Sequence, residues 1–125
     1  MTAKSSIHLT RVRRLCLALP ESEERLSHGE PTFFVRNKVF VMFADDHHGN
    51  GHLAVWLPVE PGLQEALIGK DSVTYFRPPY VGHRGWVGIE LGRIGDDELG
   101  VFIEEAWERV APKRLVGTYR ASLDG

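Results

Sequence analysis

The chain has 125 residues, of which 42% are hydrophobic and 26% are charged, a balance typical of one globular domain and not of a disordered chain. It contains no run of about 18 apolar residues, so the sequence excludes a membrane-spanning helix. The N-terminal segment lacks the apolar stretch of a secretion signal, and the single cysteine, Cys16, cannot form an internal disulfide. We therefore expect a cytoplasmic protein.

The formal net charge is −2, and the charges are unevenly distributed along the chain. Residues 1–20 contain four basic side chains and no acidic one, and residues 113–125 are also basic, whereas the segment between them is acidic. The charge of the whole chain therefore does not favour nucleic-acid binding. Only a local cationic patch could provide it.

The first predicted element is a helix that begins after Thr10, a residue suited to capping, and ends at Pro20. Its apolar positions follow the i, i+3, i+4, i+7 spacing of a helix that buries one face, and they are Val12, Leu15, Cys16 and Leu19. We expect Arg11, Arg13 and Arg14 to point away from the core.

The next segment, from residue 25 to residue 58, has the composition of β-strands. Three stretches are rich in β-branched and aromatic residues, at 32–36, 38–44 and 52–58. A further short strand is possible around 25–28, and Asn37 with Lys38 forms the predicted turn between the first two. Such consecutive hairpins predict an antiparallel sheet.

The second half of the chain predicts a short helix, two more strands and a final helix. Pro61 opens the short helix and Gly69 closes it, and the strands lie at 73–77 and 86–91. Asp96 is the predicted cap of the last helix, whose apolar face consists of Leu99, Phe102, Ile103, Ala106 and Val110.

Glycine inside a helix costs about 1 kcal/mol relative to alanine. The final helix contains Gly100, so we expect a close backbone approach there. The element order predicts a single α+β domain over residues 1–125, with an antiparallel sheet of about five strands and helices packed on one face.

The stretch RPPYVGHRGWVGIEL, residues 77–91, combines cationic and aromatic side chains beside a strand. Alternation places Val87, Ile89 and Leu91 on one face of that strand and Trp86 and Glu90 on the other. Because an unpaired buried Glu90 would be costly, we expect the Trp86 face to be the less buried one. An exposed ring among arginines can stack on bases or anchor a protein partner. The alternative is a stiff connection that Trp86 merely covers.

The loop DDHHGNGH, residues 45–52, contains side chains that bind transition metals. Histidine and carboxylate ligands suit zinc, copper or nickel, and here they are Asp45, Asp46, His47, His48 and His52. Their spacing matches no metal-binding motif, and a polar hairpin loop has the same composition. We therefore predict no metal and no cofactor, and keep metal binding as a third hypothesis.

Motifs for catalysis or phosphate cradling are absent from the sequence. No serine or cysteine stands in a nucleophile motif near His28, and no Gly-rich phosphate loop occurs. Cys16 falls on the apolar side of its predicted helix, where a thiol is inert. We therefore expect a protein that is not an enzyme.

Five stretches, taken in order, resemble the MmcQ/YjbR family and span most of the chain. They are LCLALPESEE (15–24), HGEPTFFV (28–35), NKVF (37–40), RPPYVGHRGWVGIEL (77–91) and EEAWERVAPKRL (104–115). The resemblance implies a compact α+β fold likened to secretion chaperones and frataxin-like domains, and a DNA-binding role with a double-wing arrangement. The positions that match the family pattern are Lys38, Tyr80, Trp86 and Lys113.

Two functions follow from the residues and the resemblance together. The first is nucleic-acid binding through a patch made of Lys38, Arg77, Tyr80, His83, Arg84, Trp86, Lys113 and Arg114, with cations for phosphates and rings for stacking. The acidic helix that begins at Asp96 cannot enter a major groove, so loops or the first helix would make the contacts. The alternative is a chaperone-like protein- or peptide-binding module that uses the open sheet face.

Overall fold

The computed structural model describes residues 2–124, which form an antiparallel sheet and four helices. The helices are α1 (Ala3–Leu17), α2 (Leu63–Lys70), α3 (Asp96–Val110) and α4 (Lys113–Leu123). The strands are β1 (Ser22–Ser27), β2 (Glu30–Val35), β3 (Lys38–Asp45), β4 (Leu53–Leu57), β5 (Tyr75–Phe76) and β6 (Val87–Glu90). Their spatial order is β1-β2-β3-β4-β6-β5.

The predicted α+β class with an antiparallel sheet is confirmed, with two differences in detail. The sheet has six strands instead of about five, because the short piece near residue 25 is a full edge strand paired with β2. Helix α4 was not predicted. It packs the partly buried Leu115, Val116 and Tyr119 against the core, a face that only the folded domain supplies.

The first two hairpins turn through residues with positive φ. Arg36 and Asn37 have φ values of 49° and 66°, and Val35 pairs with Lys38 across them. A two-residue turn with both φ values positive matches the twist of the flanking strands, so the turn is centred one residue before the predicted position.

Strands β2 and β3 shift register between Phe33 and Phe34. Phe33 pairs with Val41 and Phe34 with Val39, which leaves Phe40 as the extra residue of a β-bulge. Phe40 and Val41, although adjacent, both belong to the main core for this reason.

The main core lies between the sheet and the helices, and all four helices contribute to it. Its largest side chain is Trp107 of α3, which is fully buried and donates its indole N–H to the Pro20 carbonyl at 3.0 Å. Cys16 belongs to the same core, and burial raises the pKa of its thiol well above the usual value. The expectation of an inert cysteine agrees with this environment.

A second, smaller apolar cluster covers the opposite face of the sheet. It contains Ala44, Trp56, Val81 and Trp86, with Val39, Met42 and Phe76 packed against it. The predicted alternation is confirmed, because Val87, Ile89 and Leu91 lie in the main core.

The predicted exposure of Trp86 is wrong, since only 4% of the residue is accessible. Segment 77–86 folds back over this face, and Gln64 of α2 holds it by donating to the carbonyls of Gly82 and Trp86 at 2.8 and 2.6 Å. The argument from Glu90 also fails, because the Glu90 carboxylate is hydrogen-bonded to Nδ1 of His52 and is not unpaired.

Helix α1 begins eight residues before the predicted start. Thr2 is the cap, and its hydroxyl accepts the Ser5 N–H at 3.0 Å. The Ser5 hydroxyl donates to Asp45 at 2.6 Å and so fastens the start of α1 to the end of β3. Thr10 is not a cap: its hydroxyl donates to the Ser6 carbonyl inside the helix.

Arg11 does not point away from the protein, contrary to expectation. Its guanidinium donates to the Asp96 carboxylate at 2.6 Å and to the carbonyls of Leu91 and Ile94 at 2.7 and 2.6 Å. It thereby joins α1 to the connection between β6 and α3. Arg14 is exposed and also reaches Asp96.

Two predicted helix ends are displaced. Asp96 is the first residue of α3, not its cap, because its carboxylate is engaged by Arg11 and Arg14, and Gly95 takes the cap position. Gly69 lies inside α2, which ends at Lys70 with Asp71 as cap.

Among residues 2–124, no helix is long and apolar enough to cross a lipid bilayer.

The prediction that another element packs closely against the backbone at Gly100 is also wrong. A Cβ at this position would meet Leu15 Cδ2 at 3.5 Å, an ordinary van der Waals distance. At Gly88, by contrast, an added Cβ would come within 2.5 Å of Phe76 Cε2.

Arg11→Lys is expected to lower the free energy of unfolding by about 1–3 kcal/mol, because one ammonium cannot serve the carboxylate and both carbonyls. Arg14→Lys is the matched control and should cost less than about 0.5 kcal/mol, since its exposed ion pair is weak. Urea denaturation measures both. Equal losses would contradict the bridging role of Arg11.

Gly100→Ala is expected to raise the free energy of unfolding by up to about 1 kcal/mol, because alanine restricts the unfolded chain and fits beside Leu15. Gly88→Ala is the matched comparison and should lower it by about 1–3 kcal/mol through the clash with Phe76. Thermal and urea unfolding distinguish the two. A loss of stability in Gly100→Ala would show a tighter helix contact than the one described.

Candidate nucleic-acid interface

Of the eight residues predicted to form one binding patch, three line one concave surface, one lines a second and four line neither. The first, which we call the cationic cleft, has a volume of about 550 Å³. It is lined by Phe34, Asn37, Lys38, Val39, Pro58, Arg84, Trp86, Arg109 and Val110.

The cleft forms where several elements meet at one end of the sheet. Lys38 begins β3 directly after the hairpin turn, Pro58 follows β4 and Trp86 precedes β6. In an antiparallel sheet these three positions lie at the same end. The last turn of α3 adds Arg109 and Val110 from the other layer.

Three cations line the cleft without a carboxylate among them. Lys38, Arg84 and Arg109 are all exposed, and within residues 2–124 none of them forms an ion pair. Several other arginines of the chain are neutralised by carboxylates within 4 Å, and these are Arg11, Arg13, Arg14, Arg25, Arg36 and Arg120. The arginines of the first helix therefore do not extend the patch.

The arginines lower the pKa values of the exposed carboxyl groups with which they pair. A hydrogen bond from Arg36 lowers the pKa of Glu21, and one from Arg11 lowers the pKa of Asp96. Each carboxylate is thus stabilised in its charged form by its arginine. Neutralised pairs attract a polyanion less than free cations do, so the cleft is set apart from the paired arginines by three unpaired cations that line one concave surface.

Trp86 forms part of the cleft wall but cannot stack on a base. Its ring is almost completely covered, and the Arg84 guanidinium carbon lies 5.4 Å from the ring centroid. The indole therefore supports Arg84 through a cation–π contact. Phe34, half-buried on the same wall, is covered in a similar way by Arg25 at 4.0 Å.

The second concave surface, which we call the histidine pocket, contains Arg77. It has a volume of about 510 Å³ and is lined by His47, His48, Asn50, His52, Phe76, Arg77, Pro78 and Pro79. Tyr80 lies beside it, with its ring centroid 5.7 Å from that of His47. The histidine loop follows the end of β3 whereas Lys38 begins it, so His47 and Lys38 lie at opposite ends of that strand.

The remaining predicted residues line neither surface. His83 is exposed in the short turn 82–84, and Lys113 and Arg114 are exposed in the first turn of α4. Arg109 was missed, because in the sequence it is one cation at the end of an acidic helix. Its proximity to Lys38 and Arg84 depends on contacts between distant segments, for which the sequence has no local signal.

The histidine loop is held by hydrogen bonds and does not resemble a metal centre. His52 pairs with Glu90 and stacks on Phe76, with ring centroids 3.9 Å apart. Gly51 N–H donates to the Asp46 carboxylate at 2.7 Å. Within the described part of the chain, no group of three or more His, Cys, Asp or Glu side chains is arranged to hold a metal ion.

Comparison with solved structures supports the fold. The crystal structure of Deinococcus radiodurans protein DR2400, whose domain is described as DUF419, superposes with a TM-score of 0.67 at 20% sequence identity. The match covers 79% of this chain and 75% of that one. At this identity the likeness concerns the fold alone. No curated protein matches the sequence.

Comparison with family models supports the resemblance seen in the sequence. The YjbR model matches residues 17–109, which include every strand of the sheet as well as α2 and nearly all of α3. The matched segment is well over half of the chain. The protein therefore belongs to the YjbR family.

Proposed function

We propose that this protein binds nucleic acid, in the first instance DNA, through the cationic cleft. The observation that carries the proposal is the meeting of Lys38, Arg84 and Arg109 at one concave surface with no carboxylate in its lining. Cations of this kind attract the phosphate backbone and release its condensed counterions. A local patch suffices for this even though the whole chain is slightly acidic.

The proposed contacts are to phosphates and not to bases. Trp86 is covered, so the stacking that its sequence position suggested is not available. Helix α3 carries acidic residues along much of its length and would be repelled from a groove; they are Asp96, Asp97, Glu98, Glu104, Glu105 and Glu108. Binding is therefore expected to be weak and independent of sequence, as phosphate contacts carry no base information.

The proposed role is binding without catalysis. The single cysteine is buried with a raised pKa, so it cannot act as a nucleophile. Of the histidines, His52 is already committed to Glu90. Both features favour a binding protein over an enzyme.

Peptide binding is the second candidate, and the outer edge of β1 is the observation that favours it. This strand pairs only with β2, and its Leu26 is 76% exposed. An open edge can accept an added strand. The charged side chains of Glu23, Glu24 and Arg25 oppose that pairing, as charges on edge strands do generally. We therefore favour the cleft.

The test is a combined Lys38→Gln, Arg84→Gln and Arg109→Gln variant measured with a short DNA duplex by fluorescence anisotropy. We expect affinity near about 50 mM salt to fall at least about tenfold. If all three cations contact phosphates, the slope of log K against log[salt] should become shallower by about 3.

Lys70→Gln is the matched control, because Lys70 is exposed at the end of α2 and lines neither concave surface. It should leave both the affinity and the salt slope unchanged. Circular dichroism verifies that the combined variant folds. Undetectable binding by the unmodified protein at about 50 mM salt, or an unaltered slope in the combined variant, would refute the proposal.

A further inference from the structure

The histidine pocket takes no part in the proposed nucleic-acid contact, yet it has the features of a ligand site. Its volume of about 510 Å³ falls in the range of small-molecule pockets. Its lining combines one cation, imidazole rings and proline faces. No carboxylate lines it.

The backbone around the pocket is strained. Tyr80 has a φ of +65°, and the Val81 N–H donates to the Pro79 carbonyl at 2.6 Å across it, which closes the rare three-residue turn of positive φ. A bulky residue is a genuine outlier in this conformation. Asp46 and His48 also have positive φ, at 53° and 50°. Strain of this kind is concentrated at ligand-binding sites.

The strain presents an aromatic surface to solvent. Tyr80 is 64% exposed although glycine or asparagine would fit its backbone better. Its ring stands edge-on to those of His47 and His48, at centroid distances of 5.7 and 6.4 Å. Because Tyr80 keeps its ring exposed in an unfavourable backbone conformation, we interpret the ring as a contact surface for a ligand.

Hydrogen-bonding groups around the pocket lack partners. Arg77 is exposed, and within residues 2–124 no carboxylate pairs with it. Nε2 of His47 is buried with no hydrogen-bond partner, and so is Nε1 of the adjacent Trp56. An unsatisfied buried nitrogen is unfavourable. Arg77 provides charge-assisted donors that suit a phosphate or carboxylate.

We propose that the histidine pocket binds a nucleoside monophosphate, with Arg77 contacting the phosphate and the rings of Tyr80 and His48 contacting the base. The unpaired cation selects an anion, and the exposed rings select a flat partner. A metal ion is the less suitable occupant, because His52 is engaged by Glu90 and stacked on Phe76. The histidine pocket shares no lining residue with the cationic cleft, so this proposal can be tested independently of nucleic-acid binding.

The nucleotide unit has two sources, a free mononucleotide and the 5′-phosphorylated end of a strand. AMP, adenosine and inorganic phosphate are titrated separately by isothermal calorimetry, with His ring resonances followed by NMR. We expect AMP to bind with a Kd below about 1 mM, and adenosine and phosphate to bind at least about tenfold more weakly. A 5′-phosphorylated trinucleotide that binds more tightly than AMP identifies the strand end as the source, and equal affinity identifies the free nucleotide.

Arg77→Gln should weaken AMP binding by about tenfold or more, because glutamine keeps the Cγ that packs on Gly82 and removes the charge. Lys70→Gln is the charge-matched control and should have no effect. Tyr80→Asn is the second variant: it should weaken AMP binding without lowering the unfolding midpoint, since asparagine tolerates positive φ.

Three results would overturn the proposal. The first is no detectable AMP binding, and the second is AMP affinity unchanged in both Arg77→Gln and Tyr80→Asn. The third is phosphate binding as tightly as AMP, which would indicate a bare anion site. Loss of DNA binding in the cleft variant bears only on the cleft.

Discussion

The hydrogen bonds from the Gln64 amide to the carbonyls of Gly82 and Trp86 hold in place the segment that covers the second apolar cluster. They fasten segment 77–86 across the face of the sheet that has no helix, and Trp56, Val81 and Trp86 are enclosed beneath it. Both faces of the central strands are therefore covered, although only one face carries helices. An amide buried to 3% exposure keeps such bonds intact, because losing them would leave polar groups unsatisfied.

The covering segment determines which side chains remain accessible to a binding partner. Since the tryptophans are enclosed, binding depends on the groups at the margins of the segment. Arg84 lies over Trp86 and faces Lys38 and Arg109, whereas Arg77 and Tyr80 lie beside the histidine loop. One continuous stretch of sequence thus contributes to two surfaces with different chemistry, one suited to phosphates along a strand and one to a small aromatic anion.

The fold could be predicted from the sequence further than the site could. Strand alternation correctly assigned Val87, Ile89 and Leu91 to the main core, because that periodicity is local. The burial of Trp86 could not be inferred, since the segment that covers this face is held by Gln64, which is far from it in the chain. The hydrogen bond that satisfies Glu90 likewise joins it to the distant His52. Arg109 was missed for the same reason. The start of α1 was misplaced because threonine is a common capping residue and Thr10 precedes the apolar positions. The hydrogen bond from Ser5 to Asp45, which fixes the true start, exists only in the folded sheet.

The most direct test of this account is quenching of tryptophan fluorescence in the folded protein by iodide and by caesium. Trp56, Trp86 and Trp107 are exposed by only 3%, 4% and 0%. Neither ion should therefore quench a measurable fraction of the emission until the protein is unfolded, even though the neighbouring cations attract iodide to Trp86. An iodide-accessible fraction near one third would mean that segment 77–86 does not cover its indole, and it would contradict the two-sided burial on which both proposed surfaces depend.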